Sequence, residues 1–243
     1  RPRHLHVANV GGAGMSAVAT LLAESGHRVS GHDPAATTPF LDLLAGRGVA
    51  VTTGVDRPPL PGGVEAVVVS TATPDDDPHL AAARDRGVPV LHRSAALASL
   101  SAVRTTAAVA GTHGKTTTSA LLATILAGAG RDPGWVVGAG IAHLGRSAAW
   151  GGDGPLVVEA DESDGTFLAL ASDVAVVTNV EPDHLENWGG EAALRAAFRD
   201  FVAALPGPAV LFADDAGARE LAVAAGEHVT YGLDPSADYQ VLT

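Results

Sequence analysis

Ala107-Ala108-Val109-Ala110-Gly111-Thr112-His113-Gly114-Lys115-Thr116-Thr117-Thr118 decides the fold. Thr105 to Ala110 is a short run of small and apolar residues suited to a buried strand, and the residues after Lys115 read as helix to about Ala129. Strand, glycine-rich turn and helix in that order leave backbone amides and a helix N-terminus facing one point, where an anion can sit. Lys115 follows the second glycine, within reach of the β- and γ-phosphates of a bound ATP, and the Thr116 hydroxyl is placed to hold Mg²⁺. The common form of this loop has a glycine where this chain has Val109, so the loop is a variant. Lys115 is the only lysine in the chain; the other fourteen of the fifteen basic residues are arginine. A compact ammonium and a broad planar guanidinium are not interchangeable in a tight loop.

The pattern around the loop alternates strand and helix. Downstream, Trp135–Val137, Leu156–Glu159, Val174–Asn179, Ala209–Phe212 and His228–Tyr231 read as strands. Glu191–Leu205 repeats apolar residues at helical spacing, and Asp215–Ala225 is also helical. Upstream, strands are expected at His4–Val10, His27–Asp33, Val49–Thr53, Ala66–Ser70 and Val88–His92, and helices at Met15–Ser25, Phe40–Gly46, Pro78–Arg86 and Ser94–Leu100. Both halves show the βαβ rhythm of parallel sheets covered by helices. The expectation is an α/β protein with a Rossmann-like domain over residues 1–102 and a P-loop-type ATP-binding domain over 103–243.

Composition limits the function. The chain has 243 residues, 47% of them hydrophobic, so it can bury two cores. It has no cysteine, which removes disulfides and zinc–thiolate sites and fits a cytoplasmic address. Neither a membrane helix nor a secretory signal is read in it. It opens at Arg1, as a chain processed or cut from a longer one would. The net charge is −12, divided as −1 over residues 1–102 and −11 over 103–243. An acidic second half argues against a nucleic-acid partner.

Two further positions lie where a parallel sheet presents ligands, at the carboxyl ends of strands. Glu159 ends Leu156-Val157-Val158-Glu159, and a carboxylate there suits Mg²⁺ bridging the phosphates of ATP. His184 follows the strand ending near Asn179. Asp161, Glu162 and Asp164 read either as a solvated acidic loop or as chemistry, and Asn179 and Glu181 as loop-shaping or water-mediated metal contacts. His113 either contacts substrate or caps the turn. In the first domain, Asn9-Val10-Gly11-Gly12-Ala13-Gly14-Met15 is a glycine turn with Asn9 in the usual place of the first glycine, a residue tolerant of left-handed angles. Asp33 stands nineteen residues after Gly14, where a carboxylate meets a ribose hydroxyl. On these residues alone an NAD-binding dehydrogenase-like domain is an open alternative.

The loop Gly111-Thr112-His113-Gly114-Lys115-Thr116-Thr117, the segment Glu159-Ala160-Asp161-Glu162-Ser163-Asp164 and the segment Thr178-Asn179-Val180-Glu181-Pro182-Asp183-His184-Leu185 together resemble the Mur ligase family. The resemblance covers nearly the whole chain. It implies ATP-dependent joining of L-alanine to the lactyl carboxylate of UDP-N-acetylmuramate through an acyl phosphate, in peptidoglycan precursor synthesis. A member that recycles murein peptides is the alternative, one that usually has tyrosine where Ser163 stands. The resemblance also implies Lys115, Glu159 and His184 as catalytic residues, residues 111–117 as the ATP site, and Thr116, Glu159 and His184 as metal ligands. It redirects the first glycine turn from NAD to a UDP-sugar held by Asn9, Gly11, Gly12, Ala13, Gly14, Met15, Asp33, Ser70 and Arg93. The substrate loop Ser70–Pro78 departs from the family in having Asp77 for asparagine. Family members carry a third, C-terminal domain, so this chain is expected to bind substrate or nucleotide and not to ligate alone.

Overall fold

The computed structural model describes residues 3–163 and 165–242; Asp164 lies outside them. Contacts divide the chain into two compact units, one reaching to Leu100 and taking in Arg146–Gly151, the other formed by Ser101–Gly145 and the residues from Gly152 onward.

The first unit is built from β1 (His4–Ala8), α1 (Ala13–Glu24), β2 (Arg28–Asp33), α2 (Leu41–Ala45), β3 (Ala50–Thr53), β4 (Ala66–Val69), α3 (Pro78–Asp85), β5 (Val90–His92) and α4 (Arg93–Ser101), the last running into the second unit. Its five strands are parallel, in the order β3-β2-β1-β4-β5. β1 is central and buried along its whole length, and α1 buries Met15 to Leu22 without a break. α3 begins as the sequence dictates: Asp77 accepts from His79 N (2.9 Å) with Pro78 at the first helical position. Asp77 is 2% exposed and paired with Arg57, so its place in the substrate loop is that of a buried helix cap.

The second unit holds β6 (Thr106–Ala110), α5 (Lys115–Gly128), β7 (Gly134–Ile141), β9 (Leu156–Glu159), β10 (Val174–Val177), α6 (Leu185–Trp188), α7 (Glu191–Ala203), β11 (Ala209–Phe212), α8 (Ala216–Glu220), β12 (His228–Gly232) and β13 (Tyr239–Gln240). The strand between β7 and β9 in the chain, β8 (Arg146–Ala149), groups with the first unit. It is tied there by Glu24 at the end of α1, which accepts from Arg146 Nη1 (2.7 Å) and Trp150 N (2.8 Å). The parallel order in the second unit is β13-β12-β11-β10-β6-β9-β7. α7 buries Leu194, Ala197, Phe198, Phe201 and Val202, the stripe its spacing predicts. Those rings pack on Phe167, with centroids 5.2 Å (Phe198) and 5.0 Å (Phe201) away. β8, α6, β13 and a 3-10 turn at Thr166–Ala169 are not foreseen from the sequence pattern. Each is four residues or fewer, too short to show a period.

Under the first sheet, polar side chains take core positions. His4 Nε2 and His6 Nδ1 meet Ser30 Oγ (3.1 and 3.0 Å), His6 Nε2 meets His79 Nδ1 (3.0 Å), and His79 Nε2 meets the Pro58 carbonyl (2.8 Å). That carbonyl can only accept, so His79 donates through Nε2 and accepts at Nδ1. His6 then donates through Nε2 and accepts from Ser30, whose oxygen accepts from His4. The chain closes with every ring neutral. Burial pushes His6 down to about 3, with the neighbouring histidines acting in the same direction. A depressed histidine favours the folded state above the unfolded value of 6.5, and that contribution is lost as pH falls from 6.5 toward 3, by about 1.4 kcal/mol per pH unit for each proton taken up on unfolding. Thermal melts between pH 7.5 and pH 5 therefore show falling stability. His6→Gln is less stable at pH 7.5 but has a flatter profile; parallel profiles for the two proteins would contradict the neutral chain.

Candidate functional site

The site of the second unit begins with one glycine. β6 lies between β10 and β9, with Val109 paired to Val176 on one side and Glu159 on the other. Val109 is fully buried in mid-strand, which explains why no glycine is needed at that position. The turn starts at Gly111, with φ +130°, and a Cβ there would lie 2.1 Å from Thr178 Oγ1 and 3.0 Å from the Asn179 backbone. Only glycine lets the loop come so close to the end of β10.

That closeness is used. Thr112 N donates to Asn179 O (3.1 Å); the Thr112 hydroxyl donates to Glu181 O (3.1 Å) and accepts from Glu181 N (2.9 Å). Asn179 brackets His113, accepting from its N–H (2.8 Å) and donating to its carbonyl (3.0 Å), and Thr178 Oγ1 donates to the same carbonyl (2.6 Å). Thr178 and Asn179 thus shape the loop. Their sequence signal is the segment that repeats the family motif, since the pairing is long-range. His113 itself is exposed, 3.7 Å from Glu181 Oε2.

Gly114, at φ +82°, precedes α5 and supplies no side-chain cap, so the first amides of the helix face outward for an external acceptor. Lys115 Nζ lies over the loop, 2.8 Å from Gly111 O and 2.9 Å from Glu162 Oε1. Thr116 Oγ1 donates to Glu159 Oε1 (2.8 Å), and Glu159 Oε2 accepts from Gly138 N (2.5 Å). Two hard oxygen donors beside an uncapped helix head fit Mg²⁺, which takes few protein ligands and keeps water and phosphate oxygens. His184 is placed apart. It is half-exposed in a left-handed conformation (φ +50°), near Asp183 and Glu186 at 3.8 Å each. Among the described residues no contact joins it to Lys115, Thr116 or Glu159, and no three acidic or histidine side chains form a ready metal cluster. A cavity of about 820 Å³ at the opposite edge of the sheet, lined by Arg104, Leu170, Ser172, Asp173, Asp200 and Phe201, shares no residue with the loop.

The glycine turn of the first unit is held by other means. Asn9 adopts φ +50°, the left-handed angle its identity allows. Asp33 is 6% exposed, and its two oxygens accept from Gly11 N (2.8 Å) and Ala35 N (2.9 Å). Its carboxylate thus braces the turn through both oxygens. Met15 is in the core. Ser70 N donates to Thr73 Oγ1 (3.2 Å), closing the loop after β4. Gly12 gives α1 no side-chain cap, and the Arg93 guanidinium lies so near Gly14 that a Cβ would be 2.6 Å from Nη1. An uncapped helix head with an arginine beside it is suited to receive an anion.

A Rossmann-like unit followed by a unit with a variant glycine loop, each with a glycine turn at a helix head, defines a two-unit α/β protein. Residues 4–105 match the Mur ligase family, catalytic domain, and residues 109–242 the Mur ligase middle domain; the chain belongs to the Mur ligase family. It is 48% identical over 245 residues to UDP-N-acetylmuramate–L-alanine ligase of Kineococcus radiotolerans (98% of this chain, 52% of that protein) and 43% identical over 238 residues to that of Acidiphilium cryptum (96% and 49%). The chain spans about half the length of the curated relatives it matches. Among solved structures it resembles the UDP-N-acetylmuramate–alanine ligase of Thermotoga maritima, with TM-score 0.80 and 29% identity over 95% of this chain and 53% of that one. It also resembles the UDP-N-acetylmuramate:L-alanyl-γ-D-glutamyl-meso-diaminopimelate ligase of Neisseria meningitides, with TM-score 0.83 and 25% identity over 95% and 78%.

Gly111→Ala is expected to destabilise the second unit by roughly 2–4 kcal/mol, since both the φ angle and the contact with Thr178 forbid a side chain. Urea unfolding measures it. Thr178→Ala in the same chain restores only the steric part, and full restoration would show that φ carries no strain.

Proposed function

We propose that this chain supplies the UDP-sugar and ATP sites of a ligase that joins L-alanine to UDP-N-acetylmuramate. The observation that carries the reading is the convergence of Lys115, Thr116 and Glu159 at the uncapped head of α5. The identity to relatives named for that reaction supports it. The lactyl carboxylate attacks the γ-phosphate of ATP, forming an acyl phosphate and ADP; the alanine amine then attacks the acyl carbon and phosphate leaves. Lys115 and the first amides of α5 hold the phosphates in line and offset the charge of the transferring group. Thr116 and Glu159 would hold Mg²⁺, which would supply positive charge to offset that of the phosphates. His184 is the residue proposed for a second metal ion. The loop glycines, Thr112, His113 and Thr117 complete the ATP site. In the first unit the turn from Asn9 to Met15, with Arg93 and Ser70, takes the UDP end, and Asp33 keeps that turn in shape.

The likeness to the Neisseria tripeptide ligase gives a peptide amine as the second reading, and competition between L-alanine and that tripeptide separates the two. Calorimetry with UDP-N-acetylmuramate and with NADH tests the first unit. The UDP-sugar is expected to bind and to weaken in Arg93→Ala; binding of NADH alone would replace the ligase reading with a dehydrogenase-like one. In the full-length ligase, Lys115→Arg is expected to keep the fold and to lower ATP-dependent turnover by about a hundredfold or more. Near-normal turnover in that variant would show that charge alone suffices in the loop.

A further inference from the structure

Lys115 has a full set of partners within the fold. Nζ donates to Gly111 O (2.8 Å), Thr112 O (3.3 Å) and Glu162 Oε1 (2.9 Å). An ammonium has three N–H groups, so all three are spent. Two of the acceptors are carbonyls of the phosphate loop itself, and they hold Nζ over it. The third comes from the segment after β9. Its carboxylate therefore sits on the one remaining direction of Nζ, the direction from which a phosphate oxygen would approach. Glu162 is 1% exposed and the Lys115 side chain 14%, so solvent screens the pair little.

We propose that Glu162 is a positioning residue acting through Lys115: its carboxylate holds the place of a phosphate oxygen on Nζ, and a nucleotide binds by displacing it. The inference rests on the nucleotide reading of the loop. Three features fit displacement better than permanent anchoring. Both Glu162 oxygens lie against Nζ, Oε1 at 2.9 Å and Oε2 at 2.7 Å, and among the described residues no other side chain holds the carboxylate in place. Burial, with a smaller push from Asp161, drives the Glu162 carboxyl up against the opposing pull of Lys115 and of a backbone hydrogen bond at Glu162 itself, so Lys115 is the one cation that favours the charged form. The backbone, in contrast, is fixed. Glu162 O accepts from Trp188 Nε1 (3.0 Å) and Gly165 N (3.1 Å), and Ser163 O accepts from Asn187 Nδ2 (2.9 Å). The carboxylate therefore leaves by rotation of its own side chain. Separating the pair removes the counter-ion of a buried charge, and that cost subtracts from nucleotide affinity.

The test compares ADP and adenosine binding, by calorimetry, in the wild type and in Glu162→Gln. Removing the competing carboxylate is expected to tighten ADP by about tenfold and to leave adenosine, which has no phosphate, unchanged. Equal or weaker ADP binding in the variant would overturn the proposal while leaving the nucleotide site standing. ADP bound by neither protein would overturn the nucleotide reading and the proposal with it. A second measurement needs no variant. With a single lysine in the chain, ¹³Cε-lysine labelling yields one side-chain signal, that of Lys115. ADP is expected to move it and adenosine to leave it in place. If Glu162→Gln does not fold, this signal decides: a resonance indifferent to ADP sinks the idea.

Discussion

The second unit depends on the absence of a single carbon. Gly111 lies against Thr178 and Asn179 at a distance no side chain tolerates, and this contact brings the end of β10 under the phosphate loop. Once there, Asn179 holds the backbone of His113 on both sides and Thr112 binds the backbone of Glu181 twice. The loop conformation is therefore set by its neighbour in the sheet and not by its own sequence. A turn held in this way keeps its amides aimed outward without a ligand to order them, which is the meaning of preorganisation at an anion site. Glu159 gains from the same geometry, because its register opposite Val109 puts the carboxylate level with the head of α5.

The first unit meets the same requirement with different atoms. There the turn is locked by a carboxylate, Asp33, which accepts from Gly11 and Ala35, and a glycine contact is used to admit Arg93. In both units the residue before the helix is a glycine without a capping side chain. Asp77 caps α3 and Asp215 caps α8 from within, whereas α2, α6 and α7 start, like α1 and α5, without a side-chain cap. What sets α1 and α5 apart is therefore not the missing cap but the basic side chain beside each head, Arg93 near Gly14 and Lys115 over its own loop.

How much of this was legible in the sequence follows from range. The parallel strands and the long amphipathic helix α7 were legible because period and length are local properties. The strand, glycine turn and helix around Lys115 were legible because glycine, lysine and threonine stand there at fixed spacing. Three features were not. Asp33 stands at the position of a ribose contact, but whether its oxygens turn inward depends on Gly11 and Ala35, and spacing does not reveal that. Arg146–Gly151 belongs with the first unit because Glu24 holds it, a bond across 122 residues. The strand at His4–Val10 was expected, but the compatibility of His4 and His6 with a core depends on Ser30 and His79, far away in sequence.

Those histidines and Lys115 illustrate one rule about polar groups inside a fold. A buried polar atom is tolerated when each of its donors and acceptors finds a partner of the opposite kind. His6 and His79 satisfy this only with neutral rings, which ties the chain to pH, while His4 Nδ1 at its end has no partner. Lys115 satisfies it with three acceptors within 3.3 Å of one nitrogen. A guanidinium in that place would bring five N–H groups in a fixed plane to a nest shaped for three around a point. Two of the three acceptors are loop carbonyls that cannot move without undoing Gly111 and its contact with β10. The chain that uses arginine for its other fourteen cations keeps its one lysine here because the shape of the loop, more than the sign of the charge, selects the residue.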